Sequence, residues 1–121
     1  MSCIFNNNVV THEMSLQRAP FDSIKSGLKT VEMRLNDEKR RRISKGDLIL
    51  FRCVDNGEEI LVRVEDKILY SGFHDLYAAH SKTSIGYKED EVAAPEDMLA
   101  YYSEEKVAKY GALAILISLV K

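Results

Sequence analysis

The tripeptide Asp55-Asn56-Gly57, set between two apolar runs, limits the fold of this chain more than any other feature. Asn-Gly accepts the positive φ angles of a type I′ turn, so residues 48–54 ("LILFRCV") and residues 58–68 are predicted to pair as an antiparallel hairpin. In the second run Ile60, Val62 and Val64 alternate with Leu61, Arg63 and Glu65, which is the period of a strand. The remaining elements must assemble around this hairpin, and all of them are short.

Residues 9–16 ("VVTHEMSL") read as a first strand with His12, Met14 and Leu16 on one face. A short helix is predicted over residues 20–26: Pro20 suits a first turn, Phe21 and Ile24 stand three apart, and Gly27 is the terminator. In the strand at 30–35, Val31, Met33 and Leu35 share one face while Thr30, Glu32 and Arg34 share the other. One face is core, and the other is either chemistry or solvent. Residues 36–45 form a polar, basic connection closed by Gly46-Asp47.

After the hairpin, Ser71 is expected to cap a helix running through Phe73, Leu76, Tyr77 and His80. Residues 81–94 are too polar for a core element, and a loop of that length in a small domain tends to be functional or mobile. Pro95 opens one helical segment, Ser103 caps another over residues 104–110, and Gly111 stops it. A buried strand, residues 112–120, ends the pattern. Strands without regular crossover helices argue against a doubly wound parallel sheet. The predicted class is α+β, a small mixed β-barrel of about five to six strands flanked by short helices.

At 121 residues and 45% hydrophobic content, the chain can build one core, so residues 1–121 are taken as a single domain with 1–8 as a flexible arm. The formal charge of −2 excludes binding of nucleic acid or anionic membrane by bulk attraction. Charge is nevertheless uneven. Between Arg34 and Lys45 six basic residues face two acidic ones, while from Gly86 to Glu105 seven acids face Lys88 alone. Cys3 and Cys53 have no metal or disulfide spacing and are expected to be reduced. His12, His74 and His80 are unrelated in spacing, so neither a metal nor a cofactor is expected, and His12 reads as a half-buried hydrogen-bonding residue. No signal peptide or window of ~20 apolar residues is present, which makes the cytoplasm the expected compartment and a membrane an unexpected partner.

Pro20-Phe21, Ile24, then Gly27-x-Lys29-x-x-Glu32-x-Arg34 and Gly46-Asp47 opening an apolar strand together resemble the ASCH family (activating signal cointegrator homology), whose fold is PUA-like. Gly86-Tyr87, Tyr101-Tyr102-Ser103 and Lys109-Tyr110-Gly111 look like its bacterial single-domain members, so the resemblance spans residues 9–120. It implies a cleft around the GxKxxExR segment that takes RNA or a nucleotide-like molecule. Lys29 and Arg34 would supply a point charge and a planar fork for phosphate oxygens, with Glu32 orienting them. Gly27, Arg40, Arg41, Tyr87, Tyr102 and Ser103 complete the candidate ligand-binding set. Tyrosines can stack on unpaired bases, although one of Tyr101 and Tyr102 is better read as core.

Plainer explanations stand beside each of these. Glu32 and Arg34 two apart on a strand suit a surface ion pair worth ~0–1 kcal/mol. The run Arg40-Arg41-Arg42 cannot all face one ligand, and Ser103 is first a helix cap. Some ASCH-like proteins are hydrolases. In the branch that removes the acetyl group from N4-acetylcytidine, the lysine base matches Lys29, but the threonine nucleophile is replaced here by Glu32, and the region expected to carry the glutamate, residues 81–84, holds no acid. Ribonuclease chemistry would use Lys29 and Arg34 to stabilise phosphorane charge and Glu32 to move protons, which makes Lys29 and Glu32 the catalytic candidates if the protein is an enzyme. A protein-interaction adaptor would instead use the acidic segment 86–105.

Overall fold

A computed structural model describes residues 9–120. The arm expected over residues 1–8, with Cys3, lies outside the described residues. Five strands, β1 (Thr11–Leu16), β2 (Val31–Leu35), β3 (Leu48–Cys53), β4 (Glu59–Tyr70) and β5 (Ala112–Leu119), form one mixed sheet in the order β1-β3-β4-β5-β2. Only β1 and β3 run parallel; the other pairs are antiparallel. Helices α1 (Arg18–Lys25), α2 (Glu38–Arg41), α3 (Phe73–Ala79) and α4 (Glu104–Tyr110) flank it, with a 3₁₀ turn at Pro95–Ala100. The α+β class and the five-to-six-strand expectation are met by a five-stranded half-barrel.

The predicted hairpin forms between β3 and β4, with Phe51 opposite Ile60 and Ile49 opposite Val62. Its turn differs from expectation. Among the described residues only glycines have positive φ, so Asn56 stays on the negative side and Gly57 alone, at +77°, crosses over. The loop closes through Gly57 N–H to the Cys53 carbonyl at 2.9 Å and Cys53 N–H to that of Glu58 at 2.8 Å. This wider loop needs one left-handed residue where a type I′ turn needs two. The Asn56 side chain accepts from Glu58 N–H at 2.9 Å.

Curvature comes from β4. Its pairing with β5 slips between Val64 and Asp66, leaving Glu65 as a bulge, and a bulge bends its strand and tightens the local twist. Before the bulge β4 is shared between β3 and β5; beyond it, its ladder runs with β5 alone. The sheet therefore curls until its two edge strands approach, and the Arg34 guanidinium of β2 donates to the Ser15 carbonyl of β1 at 3.0 Å.

A curled sheet has an inside and an outside, and both are buried here. Phe21 and Ile24 of α1 fill the inside with Phe51, Val62, Leu113 and Ile115. Phe73 and Leu76 of α3 cover the outside at Val31, Met33, Ala112 and Ala114. The apolar run of β5 reflects this, since a central strand covered on both faces shows no alternation. Burial of Phe21 or Phe51, each fully enclosed, contributes about 1.5–3 kcal/mol. The Cys53 thiol is free and buried. No described helix is long and apolar enough to cross a membrane, and no three or more His, Cys, Asp or Glu among the described residues are grouped to hold a metal.

Two helix boundaries answer the sequence differently. Ser103 caps α4 as expected, accepting from Lys106 N–H at 3.2 Å. Ser71 does not cap α3: Gly72 takes that position, and the Ser71 hydroxyl donates to Asp75 one turn on at 2.6 Å.

Candidate functional site

The alternation of β2 puts Glu32 opposite Ile115 and Arg34 opposite Leu113, both residues of the inner core. The charged face is therefore neither core in the ordinary sense nor open solvent, because it looks into one end of the half-barrel. Lys29 joins it from the chain just before β2. Lys29 Nζ donates to Glu32 Oε1 at 2.9 Å and Arg34 Nε donates to Glu32 Oε2 at 2.7 Å. Side-chain exposure is 8% for Lys29, 4% for Glu32 and 14% for Arg34. The ion pair foreseen for Glu32 and Arg34 exists, but it is buried and has a third member.

Burial alone would raise the Glu32 carboxyl, and the neighbouring Lys29 and Arg34 charges with their hydrogen bonds overcome it, holding the group below the usual carboxylate range. Glu32 is thus a fixed anion with both oxygens occupied. Arg34 divides its fork, Nε to Glu32 and Nη2 to Ser15, while Nη1 pairs with no described residue. Lys29 is enclosed from the far side by the loop after α3. Thr30 and Val31 N–H both donate to the Ser84 carbonyl, at 3.0 and 2.9 Å. Gly86, with φ at +113°, lies so close that a Cβ there would stand 3.2 Å from Lys29 Cδ.

Next to the triad lies a second pair. Asp37 caps α2, accepting from Arg40 N–H at 3.1 Å and from Arg40 Nη1 at 3.0 Å. Arg40 Nε is buried without a partner, a condition that costs about 1–3 kcal/mol. Tyr102 stacks on Phe73 with ring centroids 6.0 Å apart and planes 3° from parallel. Burial raises its phenol, opposed by the Arg34 and Arg40 charges. That hydroxyl forms no hydrogen bond within the described residues. Three cations (Lys29, Arg34, Arg40) and two carboxylates (Glu32, Asp37) leave this corner with one net positive charge.

The other sequence candidates lie elsewhere. Arg41 donates from Nε to the Asn36 carbonyl at 3.0 Å and sits 6.0 Å from the Tyr110 ring, on the outside. Tyr87 is held by Tyr77 and Asp97, at 2.9 and 2.7 Å, and its ring packs in the outer core. Burial and these two bonds push its phenol far above the ordinary value. It braces the 81–97 region instead of offering a free face to a base. Ser103 is exposed and occupied as a cap, while its neighbour Tyr101 is 69% exposed. Gly27, at φ +87°, turns the chain out of α1 and borders a shallow cleft of about 300 Å³ with Lys29, Thr30 and Ser118.

Sequence reasoning gave no role to Asp37 or Ser15 and named Gly86 and Asp47 only as landmarks. Asp37 stands three before Arg40 at a helix start, a legible capping signal; Ser15 acts through its carbonyl, which no side chain announces. Asp47 is a buried carboxylate of the turn before β3. It accepts from His12 Nε2 at 2.8 Å, Ser44 N–H at 2.9 Å and Val10 N–H at 3.4 Å. His12 is therefore the half-buried hydrogen-bonding residue that was expected. Burial would raise Asp47, but these bonds outweigh it and lower its pKa.

Both Glu32 and Asp47 titrate lower folded than unfolded, so their contribution is complete above the unfolded value near 4 and is lost as pH falls through the folded values. Unfolding free energy from urea titrations is expected to hold between about pH 7 and 5 and to fall below about pH 4, with Asp47→Asn removing part of the fall. A wild-type profile that stays level to about pH 3 would contradict the assignment.

The sequence matches the ASCH domain model over residues 14–121. No curated protein matches it. Among solved structures, hypothetical protein PH0355 is 33% identical with a TM-score of 0.78, the alignment covering 92% of this chain and 100% of that one. Protein PF0455 from Pyrococcus furiosus, solved by NMR, is also 33% identical, with a TM-score of 0.71 over 93% and 99% of the two chains. A single-residue variant of ZmASCH from Zymomonas mobilis shares the fold at 18% identity, with a TM-score of 0.61 over 89% of this chain and 67% of that one. A PUA-like half-barrel, the GxKxxExR segment lodged in its end, and a family match running through nearly all of the described chain converge: this protein belongs to the ASCH domain family.

Proposed function

We propose that this ASCH domain binds RNA or a nucleotide-like molecule at the positively charged end of the half-barrel. The observation that carries the reading is the buried Lys29–Glu32–Arg34 triad, in which a fixed carboxylate holds an arginine fork with Nη1 unengaged. A guanidinium immobilised on one side and unpaired on the other loses little freedom on meeting a phosphate, and planar bidentate donation is its particular strength. The chain as a whole is acidic, so such a site attracts a phosphate locally and the protein does not coat nucleic acid. Exposed Tyr101 beside this corner can add a stacking surface for an unpaired base. The partner in this reading is a single-stranded or unpaired segment, in keeping with a domain of the cytoplasm.

The hydrolase alternative asks Glu32 to move protons. A carboxylate held ionised between two cations is better suited to orienting them than to proton transfer at neutral pH. Binding is accordingly the favoured activity.

Fluorescence anisotropy with a short single-stranded RNA across a salt series tests the proposal. Arg34→Lys, which keeps the charge and loses the fork, is expected to weaken binding about tenfold. Arg34→Ala should also make the salt slope shallower by about 0.7, the share of one lost phosphate contact. Thermal unfolding of both variants separates loss of contact from loss of fold. Affinity and slope unchanged in folded Arg34→Ala would reject the site.

A further inference from the structure

We propose that a cleft of about 440 Å³ beside the β4 bulge is a second binding site, one that takes a guanine base through its adjacent N–H donors. Lys29, Glu32 and Arg34 do not line this cleft, so the inference goes beyond the phosphate-binding reading and stands or falls apart from it. Four parts of the chain meet there: Val31 opens β2, Glu65 is the bulge of β4, Leu116 and Ile117 belong to β5, and His80 follows α3. Val31, Leu116 and Ile117 make an apolar floor, and the polar residues are few. Both the volume and that composition are usual for a small-ligand site.

The bulge is what brings a carboxylate to this place. Val64 pairs with Ile117 and Asp66 with Leu116, so Glu65 stands out of register beside the same two residues of β5 that floor the cleft. Re-aiming a side chain at a binding site is a common use of a bulge. The Ser118 hydroxyl donates to Glu65 Oε2 and holds the carboxylate, while Oε1 has no hydrogen-bond partner among the described residues. His80 is held in the same manner. Its Nε2 meets the Tyr70 hydroxyl at 3.0 Å with the rings edge to face, and Nδ1 has no partner among the described residues. The wall after α3 is pinned by the Ser84 carbonyl, which accepts from Thr30 and Val31 N–H, so the cleft is formed before any ligand arrives. An ionised carboxylate only accepts hydrogen bonds and repels phosphate, so it selects N–H donors. With Tyr70 donating to Nε2, Nδ1 carries the ring proton and supplies a donor of its own. Guanine alone among the common bases sets two adjacent N–H donors, N1–H and the 2-amino group, next to a carbonyl oxygen. A guanidinium would also satisfy Glu65, but it has no oxygen for His80.

The test is an NMR titration of the whole chain that follows the Val31, Leu116 and Ile117 methyl signals, with guanosine, inosine, adenosine and methylguanidine as separate probes. Guanosine should shift all three; inosine, which lacks the 2-amino group, should bind about tenfold more weakly, and adenosine and methylguanidine should leave the signals in place. Glu65→Gln should weaken guanosine about tenfold, and Ala79→Leu, at the exposed end of α3, should block it by filling the cleft. Arg34→Ala should take guanosine as the wild type does. Thermal unfolding establishes that each variant is folded. A short RNA with a single guanine that shifts the methyl signals at lower concentration than guanosine assigns the source to RNA; the reverse order assigns a free nucleoside. An equal response to all four probes, or an unchanged guanosine affinity in folded Glu65→Gln, would overturn the base site. Guanosine silence with RNA binding lost in Arg34→Ala would remove the cleft and keep the phosphate reading, whereas guanosine in the cleft with RNA affinity unchanged in Arg34→Ala would do the opposite.

Discussion

Replacing Glu32 with alanine is expected to remove about 3–5 kcal/mol of unfolding free energy, because it leaves Lys29 and Arg34 as adjacent buried cations with no anion between them. The expected size comes from burial. An exposed ion pair of the same composition contributes ~0–1 kcal/mol, since water competes for both partners. Here the carboxylate is enclosed and both its oxygens are used, so water cannot replace them without opening the end of the barrel. Loss of Arg34's anchor also frees its bond to Ser15, the link between the two edge strands. Urea unfolding followed by circular dichroism reads the change. Glu32→Gln should fall between wild type and Glu32→Ala, because an amide oxygen can serve one of the two cations. A cost below about 1 kcal/mol for Glu32→Ala would mean the triad is solvated as surface pairs are.

A second large effect is expected at Gly111, where Gly111→Ala should cost about 2–4 kcal/mol. Its backbone, at φ +81° and ψ 172°, lies in a region open essentially to glycine alone. An added Cβ would also stand 2.9 Å from the Tyr70 carbonyl oxygen and 3.1 Å from Leu69 Cδ1. Strain and overlap therefore act together. Gly57 is the internal control, for it has φ of +77° with open space around it. Gly57→Ala should cost about 1–2 kcal/mol from conformation alone. Equal costs at the two positions would show that the close passage of α4's exit over β4 is not as tight as described.

Much of this architecture was legible from local chemistry. Ser103 and Gly111 bracket α4 because a hydroxyl cap and a left-handed stop are short-range requirements. The hairpin was legible for the same reason, although loop length and the Asn56 side-chain bond chose a turn with a single left-handed residue. The alternation in β2 correctly separated Val31, Met33 and Leu35 from Glu32 and Arg34. It could not show that both faces are buried, because that depends on the bulge at Glu65, which curls distant strands around them.

The candidate site divides along the same line. That Lys29, Glu32 and Arg34 meet was implied by the motif, and the structure brings them together on one carboxylate. Which of them stays open to a ligand depends on the closure of the 81–87 loop over Lys29 and on the bond from Arg34 to Ser15, both set by tertiary packing. Tyr87 shows the limit most plainly. An aromatic residue beside a glycine in a polar loop suggests a stacking platform, whereas here its hydroxyl ties Tyr77 to Asp97.

The most direct measurement is a structure of the protein in complex with a short single-stranded RNA. The account predicts a backbone phosphate within hydrogen-bond distance of Arg34, over an unbroken Lys29–Glu32–Arg34 triad. RNA seated on another face, or a protein partner held by the acidic 86–105 segment with this corner left solvated, would contradict it.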